Sequence, residues 1–276
     1  MQLLLAQLSS QEGQIQKNLD RALEVIHSAA PETQLIIFPE THLTGFAEHG
    51  HTEDRALSLD SPQIQALIEV SQSTDTAVAI GLLEQRDHQV FNTTILITPE
   101  AGIQARYSKT HLWPDERPLV EAGTELVSTQ WRGWQLGLLI CYDIEFPEPA
   151  RALAQMGTEL LIVTNGNMDP YGPVHARAAQ ARAQDNQYFV AMTNRCGEGV
   201  GLRFAGESAV FAPSGETLQS AGHDDQLMTI TLDRAALEEA KRDYHYLADR
   251  RLTLASPTLP SSRDPQTWPL NSPPNH

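Results

Sequence analysis

With 276 residues, 41% of them hydrophobic, the chain is long enough for one large layered α/β domain with a continuous core. Nineteen basic against thirty-five acidic side chains leave a net charge of −16, which makes nucleic acid and anionic membrane surfaces poor partners. Two cysteines without paired spacing argue against a disulfide framework and a structural zinc site, and suit a reducing, cytoplasmic setting.

The opening Met1-Gln-Leu-Leu-Leu-Ala-Gln-Leu-Ser lacks the basic leader and long apolar centre of an export signal. No apolar run approaches the roughly 18 residues that span a bilayer, so no membrane partner is expected. A strand is predicted at 3–8 and a helix at 14–29, where Ile15, Leu19, Ala22, Leu23 and Ile26 recur at spacings of three and four and form one apolar face. A strand at 35–38 and a helix at 62–73 continue the βαβα alternation. Strands at 77–83, 91–98 and 103–107 then leave no room for helices between them, so they must pair antiparallel and the sheet must be mixed.

Alternation resumes with a strand at 135–140, a helix at 147–156, a strand at 160–164, a helix at 173–186 and a strand at 188–193. Strands at 208–211 and 227–232 close the core. Pro147 and Pro173 fit first-turn helix positions, where a missing N–H costs nothing. The strings Ile95-Leu-Ile-Thr-Pro-Glu-Ala-Gly and Ala209-Val-Phe-Ala-Pro-Ser-Gly both run from a strand into a proline-glycine turn, a weak echo that fits two related half-sheets facing each other. Residues 256–276 have no periodicity and are expected to follow a single domain of 1–255 as an extended or disordered tail, with Trp268 favouring an arm docked on a partner subunit.

Three reactive side chains stand at or near strand ends. Cys141 ends the run Trp134-Gln-Leu-Gly-Leu-Leu-Ile, Glu40 ends Leu35-Ile-Ile-Phe-Pro-Glu, and Lys109 follows Arg106-Tyr-Ser. Thiol, amine and carboxylate are the set needed for acyl transfer through a thioester. The Lys109 ammonium would stabilise the Cys141 thiolate and, with the backbone N–H of Tyr142, hold the oxyanion. Glu40 would take the thiol proton, deliver it to leaving ammonia and then activate water. Taken singly, each residue has a plain alternative: a buried small hydrophobe, a loop carboxylate, a surface lysine.

Their conjunction resembles the nitrilase, or carbon–nitrogen hydrolase, superfamily, in its amidase-like branch. The resemblance rests on Phe38-Pro39-Glu40, Lys109-Thr-His-Leu112 and Cys141-Tyr-Asp-Ile-Glu-Phe-Pro-Glu148, in that order, and runs from the first strand to about residue 254. It implies a four-layer α-β-β-α sandwich with two mixed sheets, pairing through helices into a homodimer or higher homo-oligomer, and a Glu-Lys-Cys triad. It also implies that Glu116 orients the lysine and substrate, and that Asn165-Gly-Asn-Met shapes the pocket, so Tyr142, Glu145, Trp113, Asn165 and Asn167 are the candidate substrate contacts. Gly206-x-Ser208 with Pro213-x-Gly215 matches the closing strand signature.

The expected reaction is hydrolysis of a small carboxamide to carboxylate and ammonia. Glu145 stands where omega-amidases resemble one another in carrying arginine, which leaves aliphatic or amino-acid amides open. Glu145 then either favours a cationic substrate or pairs with a nearby arginine. An omega-amidase, a carbamoylase, a non-catalytic binding protein on the same fold and a thiol redox protein using Cys196 are the alternatives. His42, His49, His51, His111 and His175 form no metal-binding spacing, so neither metal nor cofactor is expected, and His111 is read as a brace of the lysine loop.

Overall fold

The computed structural model describes residues 1–252 and 265–270. In chain order the elements are β1 (Gln2–Gln7), α1 (Ile15–Ser28), β2 (Leu35–Ile37), the single turn α2 (Thr52–Arg55), α3 (Pro62–Thr74), β3 (Ala77–Arg86), β4 (Gln89–Thr98) and β5 (Gly102–Ser108). There follow β6 (Glu125–Trp131), β7 (Trp134–Ile140), a 3-10 turn (Cys141–Glu145), α4 (Pro147–Gln155), β8 (Leu160–Asn165), α5 (Gly172–Asn186) and β9 (Phe189–Asn194). The remainder comprises β10 (Cys196–Gly199), β11 (Leu202–Ala205), β12 (Ala209–Phe211), β13 (Thr217–Ser220), β14 (Gln226–Thr231), α6 (Ala235–Glu239) and β15 (Gln266–Pro269).

Two large mixed sheets result, in the orders β14-β1-β2-β3-β4-β5 and β13-β12-β9-β8-β7-β6-β15. In the first, β1, β2 and β3 run parallel, while β4 and β5 continue as an antiparallel meander. In the second, β7, β8 and β9 run parallel, and β12 and β13 continue antiparallel. An antiparallel strand flanks each parallel set, β14 beside β1 and β6 beside β7. The two sheets are therefore built alike, and the sequence echo falls on the corresponding strands β4 and β12.

Period-two alternation sorts the side chains between layers. Leu4, Ala6, Ile36 and Phe38 pack with Leu19, Ala22, Val25 and Ile26 of α1 and Ile64, Leu67 and Val70 of α3. Leu3, Leu5, Leu35 and Ile37 instead join the cluster that contains the second sheet, with Leu153 of α4 and Ala179 and Ala183 of α5. Across the inter-sheet layer Thr94 of β4 meets Thr164 of β8, Oγ1 to Oγ1 at 2.5 Å. The α-β-β-α sandwich follows from these two sets of contacts.

The sequence reading has no strand at 125–131, where β6 forms. Its fully buried Ser128 and Thr129 break the apolar pattern, and they are satisfied instead by Gln135 Nε2 at 2.8 Å and Gln104 Nε2 at 3.0 Å. The glycine-rich β10–β11 hairpin and the short β13 also lacked an apolar signal. On α1, Val25 and Asn18 are buried, whereas Ile15 and Leu23 lie partly exposed at its edge. Of the expected tail, residues 256–264 and 271–276 lie outside the described residues; Gln266–Pro269 pairs with β6 as β15 and buries Trp268. No helix among the described residues is long and apolar enough to cross a membrane.

Candidate active site

The three reactive residues come from the carboxyl ends of strands in both sheets, the place where open α/β sheets leave a crevice. After β2 the chain runs on beside β3, with Phe38 N–H donating to Ala79 O at 2.8 Å and Gly81 N–H to Pro39 O at 3.2 Å. Gly81 permits this approach, since a Cβ there would lie 2.3 Å from the Thr41 nitrogen and 2.7 Å from the Glu40 Cα. The Glu40 N–H then reaches across to the carbonyl of Asn165, at the end of β8 (3.3 Å), and the Arg195 N–H donates to the same carbonyl at 3.0 Å. Lys109 is fixed just past β5 by its N–H on Asn92 O (2.8 Å) and by its own carbonyl, which accepts from Gly123 N–H at 2.8 Å.

Cys141 leaves β7 with φ of +47°, a left-handed conformation that costs a non-glycine residue roughly 1–2 kcal/mol. The bend turns the thiol out of the sheet at the first position of the 3-10 turn, where the N–H groups have no partner within the turn. Asp143, two residues on and fully buried, holds the bend. It accepts from Ile140 N–H (3.1 Å), Tyr107 Oη (2.8 Å), Thr110 Oγ1 (2.8 Å) and the His111 N–H (2.8 Å), with His111 Nδ1 at 2.9 Å. The nucleophile turn and the lysine loop are thereby clamped together, and His111 braces its loop as expected, stacking also on Phe146.

Lys109 Nζ donates to Glu40 Oε1 at 2.7 Å and to Glu116 Oε2 at 2.6 Å, with all three groups buried. Asn92 Nδ2 bridges the same carboxylates, at 2.7 Å from Glu40 Oε1 and 2.8 Å from Glu116 Oε1. Trp113 N–H adds a bond to Glu116 Oε2 at 3.0 Å. Glu40 Oε2 is buried and has no hydrogen-bond partner among the described residues. It packs over Gly166, where a Cβ would come within 2.6 Å of it and 2.1 Å of Phe46 Cζ, so only glycine fits.

The electrostatics follow from burial. Desolvation disfavours the Lys109 ammonium, but Glu116 and Glu40 outweigh it and hold the lysine well above its usual range. Burial pushes the Glu40 carboxyl up; Lys109 opposes that shift and Glu116 adds to it. Burial, followed by the Glu40 charge, drives the Cys141 thiol well above the ordinary cysteine range, and Lys109 and the Gly166 N–H only partly offset this. These directions favour the protonated sulfur, so its proton needs a base as the sulfur attacks. Two carboxylates already claim the one ammonium.

A cavity of ≈ 690 Å³ opens above these groups, lined among others by Lys109, Trp113, Glu116, Cys141, Tyr142, Glu145, Gly166, Asn167 and His175. Trp113 meets Tyr142 edge-on with centroids 5.2 Å apart. Asn167 is tied down by its side-chain amide on Tyr171 O (2.8 Å) and its N–H on Asn194 Oδ1 (2.9 Å). Asn165 lies beneath the lining, with Oδ1 3.0 Å from His175 Nδ1. His175 Nε2 is 2.9 Å from Glu145 Oε1, so Glu145 pairs with a histidine and not with the arginine considered from sequence. Asn92, Asp143 and His175 are the site's contributions that sequence reasoning missed. Cys196 is a free, buried thiol donating to Asp225 Oδ1 at 2.9 Å, and no disulfide joins it to Cys141.

The (R)-stereoselective amidase of a Pseudomonas sp. is 47% identical over 256 residues, spanning 92% of this chain and 93% of its own. The crystal structure of XC1258 from Xanthomonas campestris, a CN-hydrolase superfamily protein with an arsenic adduct in the active site, matches with a TM-score of 0.86 at 26% identity, over 92% of this chain and 98% of that one. A mutant of the amidase from Nesterenkonia sp. AN1, showing covalent addition of the acetamide moiety of fluoroacetamide at the active site cysteine, matches with a TM-score of 0.79 at 28% identity, over 91% and 94% of the two chains. Residues 4–242 match the model of the family described as carbon-nitrogen hydrolase, and the chain belongs to that family.

Proposed function

We propose that the protein is an amidase that hydrolyses a small carboxamide to a carboxylate and ammonia through a thioester on Cys141. The observation that carries this reading is the convergence, at the floor of one cavity, of a sharply turned cysteine with a lysine held between two glutamates at 2.7 and 2.6 Å. Glu40 takes the thiol proton as the sulfur attacks the carbonyl carbon. The oxyanion is held by the remaining Lys109 N–H and the Tyr142 backbone N–H. Glu40 then returns the proton to the departing amine, ammonia leaves, and Glu40 draws a proton from the water that cleaves the thioester. Glu116 touches the reaction through Lys109, fixing where its third hydrogen points.

Trp113, Tyr142 and Asn167 form walls for the acyl group, and Glu145 keeps one carboxylate oxygen free of hydrogen bonds within the described residues. No arginine lines the cavity among the described residues, so an omega-amidase substrate would find no guanidinium for its free carboxylate. Neutral or cationic amides fit the charge of this wall, and the (R)-stereoselective relative supports a chiral acyl group. We propose further that the protein works in the cytoplasm, where its thiol stays reduced, and as a homodimer or higher homo-oligomer; light scattering after size exclusion tests the latter.

The function is tested on a panel of amide enantiomers with ammonia release as the readout, alongside carbon dioxide release from N-carbamoyl compounds. Intact mass of the wild type quenched during turnover is expected to show an acyl adduct on Cys141. Cys141→Ala should lose at least about a thousandfold in kcat/KM. Undiminished amide cleavage by Cys141→Ala would reject the scheme.

A further inference from the structure

Asn92 sits near the start of β4, almost fully buried, in a strand position where an asparagine is disfavoured. Its side-chain amide makes two bonds, one N–H to Glu40 Oε1 at 2.7 Å and the other to Glu116 Oε1 at 2.8 Å. Its Oδ1 is buried without a partner among the described residues. The reverse orientation would aim Oδ1 at two carboxylates, so the assignment of the nitrogen is fixed by its surroundings. A side chain serving as an ordinary structural brace would satisfy its own acceptor or bind backbone. The Asn92 side chain does neither among the described residues, and its hydrogen bonds go to the two acids of the site.

Those acids need a second donor. Two carboxylates share one ammonium, and Lys109 has given each of them one hydrogen. A third hydrogen is left for substrate. Without further donors the two acids would repel, and Glu40 Oε1 would have Lys109 alone to hold it. With Asn92 in place, Glu40 Oε1 accepts two bonds and its carboxylate plane is set, which leaves Oε2 unpaired beside Gly166, the residue whose N–H also reaches the Cys141 sulfur.

We propose that Asn92 is a positioning residue of the reaction, donating one hydrogen to each of Glu40 and Glu116 so that both acids stay around Lys109 and the free oxygen of Glu40 faces the thiol. The assignment rests on the thioester reading above. It also has a consequence for ionisation. The charged and titratable groups facing Glu40 are Lys109, Glu116, Cys141 and, at longer range, Arg195. Donation from Asn92 favours the ionised carboxylate, as does Lys109, while burial and Glu116 oppose it. Removing the amide raises the Glu40 pKa, and a base must be ionised to work, so the acid limb of activity moves to higher pH.

The test is the pH profile of kcat/KM for Asn92→Leu beside wild type, with kcat, KM and Tm measured on the same samples. Asn92→Leu is expected to lower kcat by about 10- to 100-fold with KM within about threefold, and to move the acid limb up by about one pH unit. Asn92→Ser, smaller and polar, carries the same expectation and serves if the leucine variant does not fold. A fall in activity that tracks a fall in Tm, with the acid limb unmoved, overturns the role and leaves Asn92 a structural residue. Intact mass separates this from the parent reading: absence of any Cys141 adduct in the wild type quenched during turnover overturns both, whereas an adduct with an unmoved limb overturns the role of Asn92 alone.

Discussion

Cys141 is a buried thiol facing an ionisable carboxyl, and that arrangement dictates how it should respond to pH. Burial and the Glu40 charge favour the protonated sulfur more than Lys109 favours the thiolate. Alkylation of Cys141 by iodoacetamide in the substrate-free protein is therefore expected to rise only above pH 9, read as the rate of mass gain across a pH series. A plateau of fast labelling already at neutral pH would show a resting thiolate and sink the account. Glu40 is raised above its ordinary 4.5, so the acid limb of kcat/KM should fall above that pH, where the base begins to protonate. Glu40, Lys109 and Cys141, which the fold brings together, could be picked out as candidates because each stands in a short string at a strand end. Asn92, Asp143 and His175 were not, since a single polar residue carries no signal until its partners are known, and Asn92 meets Glu40 across 52 positions of chain.

Among the elements, the 3-10 turn after β7 and the loop after β5 act as one unit because Asp143 accepts bonds from both. Asp143→Ala would leave the Ile140 and His111 N–H groups without their acceptor, while the Tyr107 hydroxyl keeps Thr110 Oγ1 at 3.0 Å. We expect a loss of about 3 kcal/mol in urea unfolding, given roughly 1–3 kcal/mol for each orphaned donor, and at least a tenfold fall in kcat/KM as the lysine loop slackens. Unchanged stability and activity would show that the clamp has no consequence. Periodicity located most of the long strands and helices within one to three residues of their bounds, and failed at β6 because Ser128 and Thr129 are buried polar residues paired across the structure. A pattern of apolar residues cannot report a strand whose inward side chains are satisfied by hydrogen bonds.

At the level of the whole molecule, two sheets of matching topology face each other, and the site lies where the ends of β2, β5, β7 and β8 meet. The edge of the second sheet is covered by β15, which pairs residue for residue with β6 and buries Trp268. Trp268→Ala should cost about 3 kcal/mol, measured as a shift in the urea midpoint with an unchanged slope. No shift would mean that this segment adds nothing to the sheet. The order of most strands and helices, the mixed pairing and the strings that carry Glu40, Lys109 and Cys141 could be read from the chain alone, because hydrophobic period and short motifs are local. Which acids share the ammonium, which oxygen of Glu40 is left free, and which wall Glu145 and His175 occupy depended on the packing of one sheet against the other. Those are distances between residues far apart in the chain, and burial at the place where they meet sets their charges.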